Sequence, residues 1–440
     1  MKVLKFGGTS VGSIANIQNV KEIINDGEPK IVVLSAMSGS TNKLVELSQH
    51  IKTNQVEESR ALIYQLEQKY LAAVSGLIKG EERTETIKKY IYSLSQQLQY
   101  FVEQQISNYN EIVAQGELFS TYLVNHFLQE QGVASSLIPA LDFMRIDKEK
   151  EPDYFYIQQN LNRILKENPN QQIYITQGFI CLSNEGNISN LKRGGSDYTA
   201  SIIGAAIRAE EVQIWTDIDG FHNNDPRIVH NTKSIAQLSF DEAAELAYFG
   251  AKILHPQTIL PVRNLAIPVR LKNTNLPEAE GTLISNQIIG EGIKAIAAKD
   301  EITAIKIKSE RMLLAHGFLK KVFEIFEKYE TAIDMITTSE IAVSLTIDDK
   351  TYLNEITSEL LKFAQVEVEE NKSIVCLVGN HIIHHETTPQ LFQILQDVNV
   401  RMIAYGGSNN NISLLVSTED KPQTLKMLNN YVFKLTPTIA

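Results

Sequence analysis

Residues 3–24 read VLKFGGTSVGSIANIQNVKEII, and this stretch decides the fold of the first part of the chain. Val3–Phe6 is a short, largely apolar run that predicts a buried strand, and Gly7 and Gly8 follow it directly. Ser13 then precedes apolar residues spaced three and four apart, which is typical of a helix. A strand, a glycine-rich turn and a helix together form a common nucleotide-phosphate site, because the helix amino terminus presents free N–H groups.

The turn differs from two familiar phosphate-binding motifs. Neither G-x-x-x-x-G-K-[ST] nor G-x-G-x-x-G occurs in the sequence. Lys5 lies near the end of the strand and could neutralise a bound phosphate. A lysine in such a place is more often a solvated surface charge, so Lys5 taken alone is a weak indication.

A second glycine pair strengthens the indication of a phosphate-binding site. Residues 192–200 read KRGGSDYTA, which places a cation, two glycines, a hydroxyl and a carboxylate at positions 193–197. Paired glycines let the backbone approach a ligand closely, and a helix starting at Ser196 would add its positive end. The arrangement suits a phosphate or carboxylate beside a metal-binding aspartate. The alternative is an ordinary turn capped by Ser196.

The first 285 residues alternate strand and helix patterns. Apolar runs at 30–36, 173–181 and 212–215 predict buried parallel strands, residues 42–131 predict a largely helical insertion, and residues 184–187 predict a hairpin turn. This order is typical of an α/β domain with a mainly parallel sheet, whose ligands lie at the carboxyl ends of the strands.

After about residue 295 the pattern changes. Strand, helix and strand patterns at 302–307, 318–326 and 341–347 recur in a similar order at 374–378, 391–398, 402–405 and 412–416. This weak internal repeat predicts two β-α-β-β units. The alternative is a single α+β domain with chance similarity.

Composition excludes several classes of protein. The chain has 440 residues, 43% of them hydrophobic, and a net charge of -11, without a basic patch that would favour nucleic acid. Its two cysteines, Cys181 and Cys376, lack metal-site spacing and fit a reduced compartment. We find no signal peptide and no apolar run long enough for a bilayer, and we expect a cytoplasmic protein.

Several motifs, in order, carry a resemblance that spans the chain. They are KFGGTS (5–10), LSAMSGSTNKL (34–44), QGELFS (115–120), KRGGSDYTA (192–200), WTDIDGFHNNDPRIV (215–229), FGAKILHP (249–256) and ITTSE (336–340). The chain resembles the aspartate kinases, members of the amino-acid kinase family with a C-terminal pair of ACT domains. The resemblance implies an open, mainly parallel sheet sandwiched by helices, followed by two βαββ ferredoxin-like units. We expect a kinase domain at 1–290, an effector-binding ACT domain at 296–370 and a second at 371–440, and leave open whether the last residues return to the first ACT unit.

The resemblance also implies an activity. Such enzymes use MgATP to phosphorylate the side-chain carboxylate of L-aspartate to 4-phospho-L-aspartate, the first step towards lysine, threonine and methionine. An aspartate carboxylate is ionised at neutral pH, so no general base is required, and the task is positioning and charge neutralisation. By resemblance, Lys5 and Asp197 are catalytic, with a role of Asp197 in holding Mg²⁺ left open. The residues implied to bind aspartate are Thr41, Glu117, Arg193, Gly194, Gly195 and Ser196.

Nucleotide-binding positions follow from the same comparison. The resemblance assigns them to Gly7, Gly8, Thr216, Asp217, His222, Arg227 and Lys252. His222 stands where the family commonly has tyrosine. No dedicated set of metal ligands is expected from the protein alone.

Feedback regulation is a further implication. Lysine-sensitive members bind the inhibitor between first ACT units of a homodimer, which predicts L-lysine as inhibitor and leaves open whether dimers pair into a tetramer. The matching positions are Met312, Gly317, Phe318, Leu319, Asp334, Thr338 and Ser339. Asp334 could pair an ammonium, and Ala315 replaces a serine of close relatives. Core packing is the alternative explanation for Phe318 and Leu319.

Two other functions stay open. The chain could be another kinase of the same fold, acting on glutamate, N-acetylglutamate or UMP. An N-acetylated substrate has no ammonium for Glu117, and those kinases lack paired ACT units. The other possibility is a non-catalytic amino-acid sensor, which we would expect to have lost Lys5 or Asp197.

Overall fold

The computed structural model describes residues 1–191, 194–250, 254–309, 316–386 and 388–434. They divide into two compact units, the first formed by residues 1–220 and 254–286 and the second by residues 221–253 and 287–440. Within these ranges, every helix is too short or too polar to cross a membrane.

The secondary structure alternates strand and helix in the first unit and is dominated by antiparallel strands in the second. The strands are β1 Lys2–Phe6, β2 Lys30–Leu34, β3 Ser135–Leu137, β4 Ile173–Gln177, β5 Ile180–Leu182, β6 Ile188–Asn190, β7 Val212–Thr216, β8 Gln237–Ser239, β9 Val269–Asn273, β10 Thr282–Ser285, β11 Gly292–Lys308, β12 Ile336–Thr338, β13 Ala342–Ile347, β14 Gln365–Asn380, β15 Met402–Ala404 and β16 Asn411–Ser417. The helices are α1 Ile14–Ile24, α2 Ser40–Lys52, α3 Val56–Leu77, α4 Glu81–Glu103, α5 Tyr109–Glu130, α6 Tyr154–Glu167, α7 Gly195–Ile207, α8 Phe240–Tyr248, α9 Leu260–Arg263, α10 Phe318–Lys328, α11 Leu353–Leu360, α12 Thr388–Ile394 and α13 Lys421–Lys434.

Seven strands of the first unit lie side by side in the order β3-β4-β2-β1-β7-β9-β10. All neighbours are parallel except β9 and β10, which are antiparallel. This confirms the α/β class with a mainly parallel sheet. The carboxyl ends of β1, β2, β4 and β7 therefore meet at one edge, where ligands bind in open α/β sheets.

Helices α2 to α5 form the predicted helical insertion. Their apolar faces pack with α1 and with side chains of β1, β2 and β4 in one continuous core. Within that core, the rings of Tyr70 and Phe119 stack with centroids 3.8 Å apart. The insertion thus supports α5, the helix that carries Glu117.

Two local predictions were wrong. The apolar run 173–181 is not one strand, because Gly178 and Phe179 separate β4 from β5, and Phe179 has φ of 69°. Helix α7 starts at Gly195 with Gly194 as its N-cap, so Ser196 lies within the first turn and is not the cap. The helix predicted after Ser13 and the β5–β6 hairpin are confirmed, and Ser13 is the N-cap of that helix.

The second unit contains a six-stranded antiparallel sheet in the order β12-β13-β11-β14-β16-β15. The repeat is confirmed, and each copy carries an additional helix after its last strand, α11 or α13. Strands β11 and β14 are longer than predicted and run through both copies. Their Ile305 and Val366 pack in the core of the first copy, whereas Ile296 and Val375 pack in the core of the second.

The described part of the segment 221–250 packs with the core of the second copy. Val229 lies in the core of the second copy, and Asn224 Nδ2 donates to the Leu425 carbonyl. Glu242 on α8 is fully buried and pairs with Lys294 of β11 at 2.7 Å. A segment that the motifs assign to the kinase domain is therefore part of the same compact unit as the ACT copies.

Candidate active site

The ion pair between Lys5 and Asp197 stands at the centre of the candidate site. Lys5 lies on β1 and Asp197 in the first turn of α7, with Lys5 Nζ and Asp197 Oδ1 2.6 Å apart. The geometry is that of an ion pair rather than of an aligned hydrogen bond. Both side chains are largely buried, at 13% and 17% exposure, so water screens the pair weakly.

The two glycine turns lie against this pair and against the neighbouring strand ends. A Cβ added at Gly7 would lie 3.5 Å from Lys5 Nζ, which places the backbone of Gly7 beside the ammonium. Gly194 has φ of 68°, and a Cβ there would come within 1.8 Å of Thr258 Cγ2. Only glycine therefore fits at the amino terminus of α7, where the N–H groups and the helix dipole favour an anion.

Ser196 is buried and joins this terminus to the end of β2. Ser35 Oγ lies 2.8 Å from Ser196 Oγ, and the Phe179 N–H donates to Thr199 Oγ1 one turn further along α7. A Cβ at Gly178 would clash with Ser196 at 2.2 Å. Close approach of backbones thus fixes the position of α7 over the strand ends.

Glu117 on α5 reaches the same strand end from the other side. It is 4% exposed, and its Oε1 accepts the Ala36 N–H at 3.1 Å. Its Oε2 is buried without a hydrogen-bond partner among the described residues. Burial raises the pKa of Glu117 to about 7, against the opposing effect of the Ala36 hydrogen bond. An uncompensated buried carboxylate is a natural partner for a ligand ammonium.

Ala36 connects Glu117 with the first glycine turn. Its N–H binds Glu117, and its carbonyl would lie 3.0 Å from a Cβ at Gly8. The ends of β1 and β2 and the start of α7 therefore lie in contact with one another. They bring together the side chains of Lys5, Asp197, Ser196 and Glu117.

Thr41 lies in the first turn of α2 and is half-buried. Next to it, Lys69 of α3 donates to the Ser38 carbonyl and to Ser40 Oγ. Burial and the nearby Lys43 lower the pKa of Lys69. We missed Lys69 and Ser35 in the sequence, because Lys69 stands in an unremarkable helical pattern and Ser35 lies inside a motif whose other residues carried the resemblance.

The predicted nucleotide residues fall in both units. Thr216 ends β7, and its Oγ1 donates to Asp217 Oδ1 at 3.1 Å. In the second unit, His222 Nδ1 lies 3.2 Å from Thr232 Oγ1, and Arg227 is 85% exposed and binds Asp225 through two hydrogen bonds. Their joint role in binding nucleotide stays a prediction.

Three predicted residues, Arg193, Lys252 and Met312, lie outside the described residues, as does Ala315.

Among the effector positions, Gly317 is the N-cap of α10 with φ of 84°. Phe318 is buried in the core of the first copy, while Leu319 is partly exposed. Thr338 ends β12, and Ser339 Oγ accepts the Ala342 N–H.

Asp334 is already paired through one of its two carboxylate oxygens. Its Oδ1 accepts Lys299 Nζ and the Tyr248 hydroxyl, each at 2.8 Å. The ammonium that we expected there from an effector is supplied by the chain itself.

These contacts define what the first unit can do chemically. Lys5 and the α7 terminus can neutralise an anionic group, and Glu117 can bind a cation close by. The described residues hold no cluster of three or more metal-ligating side chains. Asp197 alone suits Mg²⁺, which commonly binds through one or two carboxylates together with substrate phosphates and water.

Comparison with known proteins gives the same picture. Residues 1–273 match the amino acid kinase family, and residues 375–431 match the ACT domain. The chain is 34% identical to lysine-sensitive aspartokinase 3 of Escherichia coli strain K12, over 98% of this chain and 99% of that protein. The solved structure of E. coli aspartokinase III with aspartate and ADP in the R-state matches with a TM-score of 0.85 and 34% identity, covering 98% of this chain and all (100%) of that chain. The solved structure of the same E. coli protein with lysine and aspartate, in the T-state, matches with a TM-score of 0.84 and 34% identity. It covers 98% of this chain and 99% of that chain.

Proposed function

Because this chain belongs to the amino acid kinase family and is an aspartokinase, we propose that it transfers the γ-phosphoryl group of ATP to the side-chain carboxylate of L-aspartate. The product is 4-phospho-L-aspartate. The observation that carries the proposal is the Lys5–Asp197 ion pair beside two glycine turns, with Glu117 at the same strand ends and its Oε2 unpartnered among the described residues. The similar E. coli enzyme, whose structure contains aspartate and ADP, supports it.

The chemistry follows from the charges of the reactants. The attacking carboxylate is already ionised, so repulsion between two anions is the main barrier and no side chain needs to accept a proton. Lys5 lowers that barrier by holding positive charge where the transferring phosphoryl group passes, with Asp197 fixing the ammonium. The N–H groups of Gly194 and Gly195 at the α7 terminus add to this field.

Substrate orientation is assigned to the surrounding side chains. Glu117 binds the α-ammonium of aspartate, and Arg193 grips its α-carboxylate with two hydrogen bonds. Thr41 and Ser196 contribute hydroxyl groups. A substrate fixed at its amino-acid end presents its side chain at one defined distance from Lys5.

Nucleotide binding is assigned to a set of residues that share polar or charged side chains or glycine backbones: Gly7, Gly8, Thr216, Asp217, His222, Arg227 and Lys252. A bound Mg²⁺ would reduce the negative charge of the phosphate groups. Asp197 is the carboxylate suited to hold it on the protein side.

Regulation is assigned to the second unit. L-Lysine inhibits at the first ACT domain through Met312, Gly317, Phe318, Leu319, Asp334, Thr338 and Ser339, in a homodimer formed through the ACT domains. We assign the kinase domain to 1–290, the first ACT domain to 296–370 and the second to 371–440, with β11 lending its first half to the second core. The protein acts in the cytoplasm, and pairing of dimers into tetramers is left open.

A hydroxamate assay for acyl-phosphate formation tests the catalytic proposal directly. With MgATP, we expect product with L-aspartate and none with N-acetylglutamate or UMP, since neither offers an ammonium to Glu117. Lys5→Ala is the inactive control. Equal turnover of L-glutamate would assign the chain to another kinase of this fold, and absence of turnover with every acceptor would favour the sensor hypothesis.

A further inference from the structure

The turn between β2 and α2, residues 38–40, lies between the first glycine turn and an aspartate-binding residue. Gly39 is the N-cap of α2, has φ of 76° and gives the helix no side-chain cap. The Ser38 N–H donates to the Gly8 carbonyl at 3.1 Å, which joins the 38–40 turn to the first glycine turn. At its other end the 38–40 turn leads directly into Thr41. Its conformation therefore affects how Thr41 is presented to a substrate.

Lys69 of α3 binds the 38–40 turn at two points. Its Nζ donates to the Ser38 carbonyl and, at 3.1 Å, to Ser40 Oγ. Ser40 is fully buried, so its hydroxyl depends on partners within the protein. Hydrogen bonds from an ammonium are stronger than those between neutral groups. Lys69 thus fixes the carbonyl before the N-cap and the side chain after it.

Helix α3 presents Lys69 from a rigid position. The next residue, Tyr70, is 5% exposed, and its ring stacks on Phe119 of α5 with centroids 3.8 Å apart. Helix α5 also carries Glu117. A polar side chain is held most precisely when packing locks the element that carries it. The packing of α3 on α5 therefore relates the position of Lys69 to that of Glu117.

Lys69 is a half-buried cation whose contacts are with a carbonyl and a hydroxyl. Among the described residues, no carboxylate contributes to the pKa of this ammonium. Burial lowers that pKa, and the neighbouring Lys43 adds a smaller effect in the same direction. A partly desolvated charge without a counter-ion is costly, so it favours a bound anion nearby. L-Aspartate, with two carboxylates, is such a substrate.

We propose that Lys69 is a positioning residue for aspartate, which holds the 38–40 turn so that Thr41 meets the substrate and which favours an acidic substrate by its charge. The inference rests on the proposed phosphorylation of aspartate. It adds to that site a residue that the resemblance does not name. Lys69 acts through the turn, whereas Glu117, Arg193 and Thr41 are the residues assigned to contact aspartate.

Loss of Lys69 should affect KM for aspartate more than kcat. Without the ammonium the 38–40 turn can leave its binding conformation, and the apparent affinity falls with the population of that conformation. Bound aspartate itself selects the binding conformation, so the chemical step at Lys5 should change little. KM for ATP should rise less, because the first glycine turn has a backbone bond of its own, from the Val11 N–H to the Gly7 carbonyl at 3.3 Å.

Lys69→Met in the full-length protein is the test, because it removes the charge and the donors while keeping a long side chain. Loss of a partly exposed hydrogen bond from a charged group corresponds to about a tenfold change in affinity. We expect KM for L-aspartate in the hydroxamate assay to rise by about that factor, with little change in kcat. Lys43→Met is the matched control, since the Lys43 side chain donates to Gln65 at 2.7 Å and joins the same two helices without binding the turn. Lys69→Arg keeps the charge and the donors, so it should retain most of the affinity for aspartate.

The outcomes separate this inference from the function on which it rests. If the wild type phosphorylates aspartate and the two methionine variants share one KM for aspartate, the inference is wrong and the proposed function stands. A lower kcat at unchanged KM in Lys69→Met, or a Lys69→Arg enzyme that is equally impaired, also overturns the positioning role. If the wild type does not turn over aspartate, the proposed function and the inference fail together. Should circular dichroism show that Lys69→Met is unfolded, Lys69→Gln replaces it, and a KM for aspartate no higher than that of Lys43→Met refutes the inference.

Discussion

Lys5 and Asp197 meet with Nζ and Oδ1 2.6 Å apart, although Lys5 lies near the end of the first strand and Asp197 in the first turn of a helix far along the chain. Their contact places a fixed positive charge at the strand ends and a carboxylate that orients it. In a site with limited water, such a preorganised pair is worth more than the same charges on a surface. The proposed phosphoryl transfer depends on this relationship.

Lys5→Ala should abolish turnover while the protein stays folded. Loss of one preorganised charge contact typically costs ~10²–10³ in rate. The measurement is kcat in the hydroxamate assay, with circular dichroism to verify folding. Lys2→Ala is the matched control, because Lys2 lies on the same strand and pairs with the exposed Glu28 at 3.1 Å. A Lys5→Ala enzyme with near-normal kcat would remove Lys5 from the mechanism.

Arg193→Lys should raise KM for aspartate much more than KM for ATP. Lysine cannot reproduce the bidentate fork that a guanidinium offers to a carboxylate. Steady-state kinetics with each substrate varied in turn measure the two effects. Arg163→Lys on the exposed face of α6 provides the control, since Arg163 contacts its helical neighbours Glu167 and Asn160. An effect confined to ATP would assign Arg193 to the phosphates.

Glu117 predicts a pH dependence of aspartate binding. Because its pKa is raised to about 7, the group loses its charge as the pH falls through 7, and KM for aspartate should rise below that pH. Glu117→Gln should raise KM for aspartate above pH 7, where the wild-type carboxylate is charged, and flatten this profile. A profile that is identical in both proteins would show that another group controls binding.

The raised pKa of Glu117 also predicts that the free energy of unfolding falls as the pH rises, whereas aspartate binding improves. The folded protein binds the Glu117 proton more tightly than the unfolded chain does, so its free energy of unfolding falls as the pH rises from about 4.5 to about 7. The shift corresponds to a difference of about 3 kcal/mol between the ends of that range. Glu117→Gln lacks this term, so its stability relative to wild type should increase with pH in urea denaturation. A constant difference would contradict the raised pKa.

L-Lysine should inhibit the wild type and L-threonine should not, and Asp334→Ala should relieve inhibition without lowering kcat. The ACT copies carry no predicted catalytic group, so the variant should affect only binding of the inhibitor. By linkage, lysine weakens substrate binding and substrates weaken lysine binding by the same factor. Parallel titrations of both proteins with both amino acids measure this. Inhibition by threonine alone would refute the choice of effector.

Gly194→Ala should destabilise the protein and impair the site. The residue has positive φ, and its new methyl group would collide with Thr258. Gly186→Ala is a matched control, because Gly186 has φ of 85° but open space around it. The control should lose about 1 kcal/mol of stability from the backbone alone, and Gly194→Ala clearly more. Equal losses in thermal unfolding would mean that α7 can shift away from Thr258.

Much of the fold was readable from the sequence, because apolar periodicity and turn residues act over a few positions. The strand at Val3–Phe6, the helix after Ser13 and the helical insertion were predicted for this reason. The break at Phe179 and the start of α7 at Gly195 were missed. Both depend on positive φ angles that the packing of Ser196 and Thr258 imposes, and neither contact is visible in the local sequence.

The residues of the candidate site were predictable from the sequence, but their contact partners were not. The resemblance named Glu117 and Asp334 as partners for ligand ammonium groups. In the structure one oxygen of each carboxylate lacks a hydrogen-bond partner among the described residues. The other oxygen of Glu117 accepts a backbone N–H, that of Ala36, whereas the other oxygen of Asp334 accepts from the side chains of Lys299 and Tyr248. The two carboxylates look alike in the sequence and differ only through residues brought to them by folding.

The sequence by itself determined the family, the order of the elements and the types of residue available to the site, because motifs and periodicity are local properties of the chain. The tertiary structure alone decided that the segment around Val229 packs in the core of the second copy, that β11 and β14 contribute to both copies, and that Lys299 pairs with Asp334. The physical reason is the range of the interactions. A charge selects its partner by distance and desolvation, and both are defined only when distant segments have packed together.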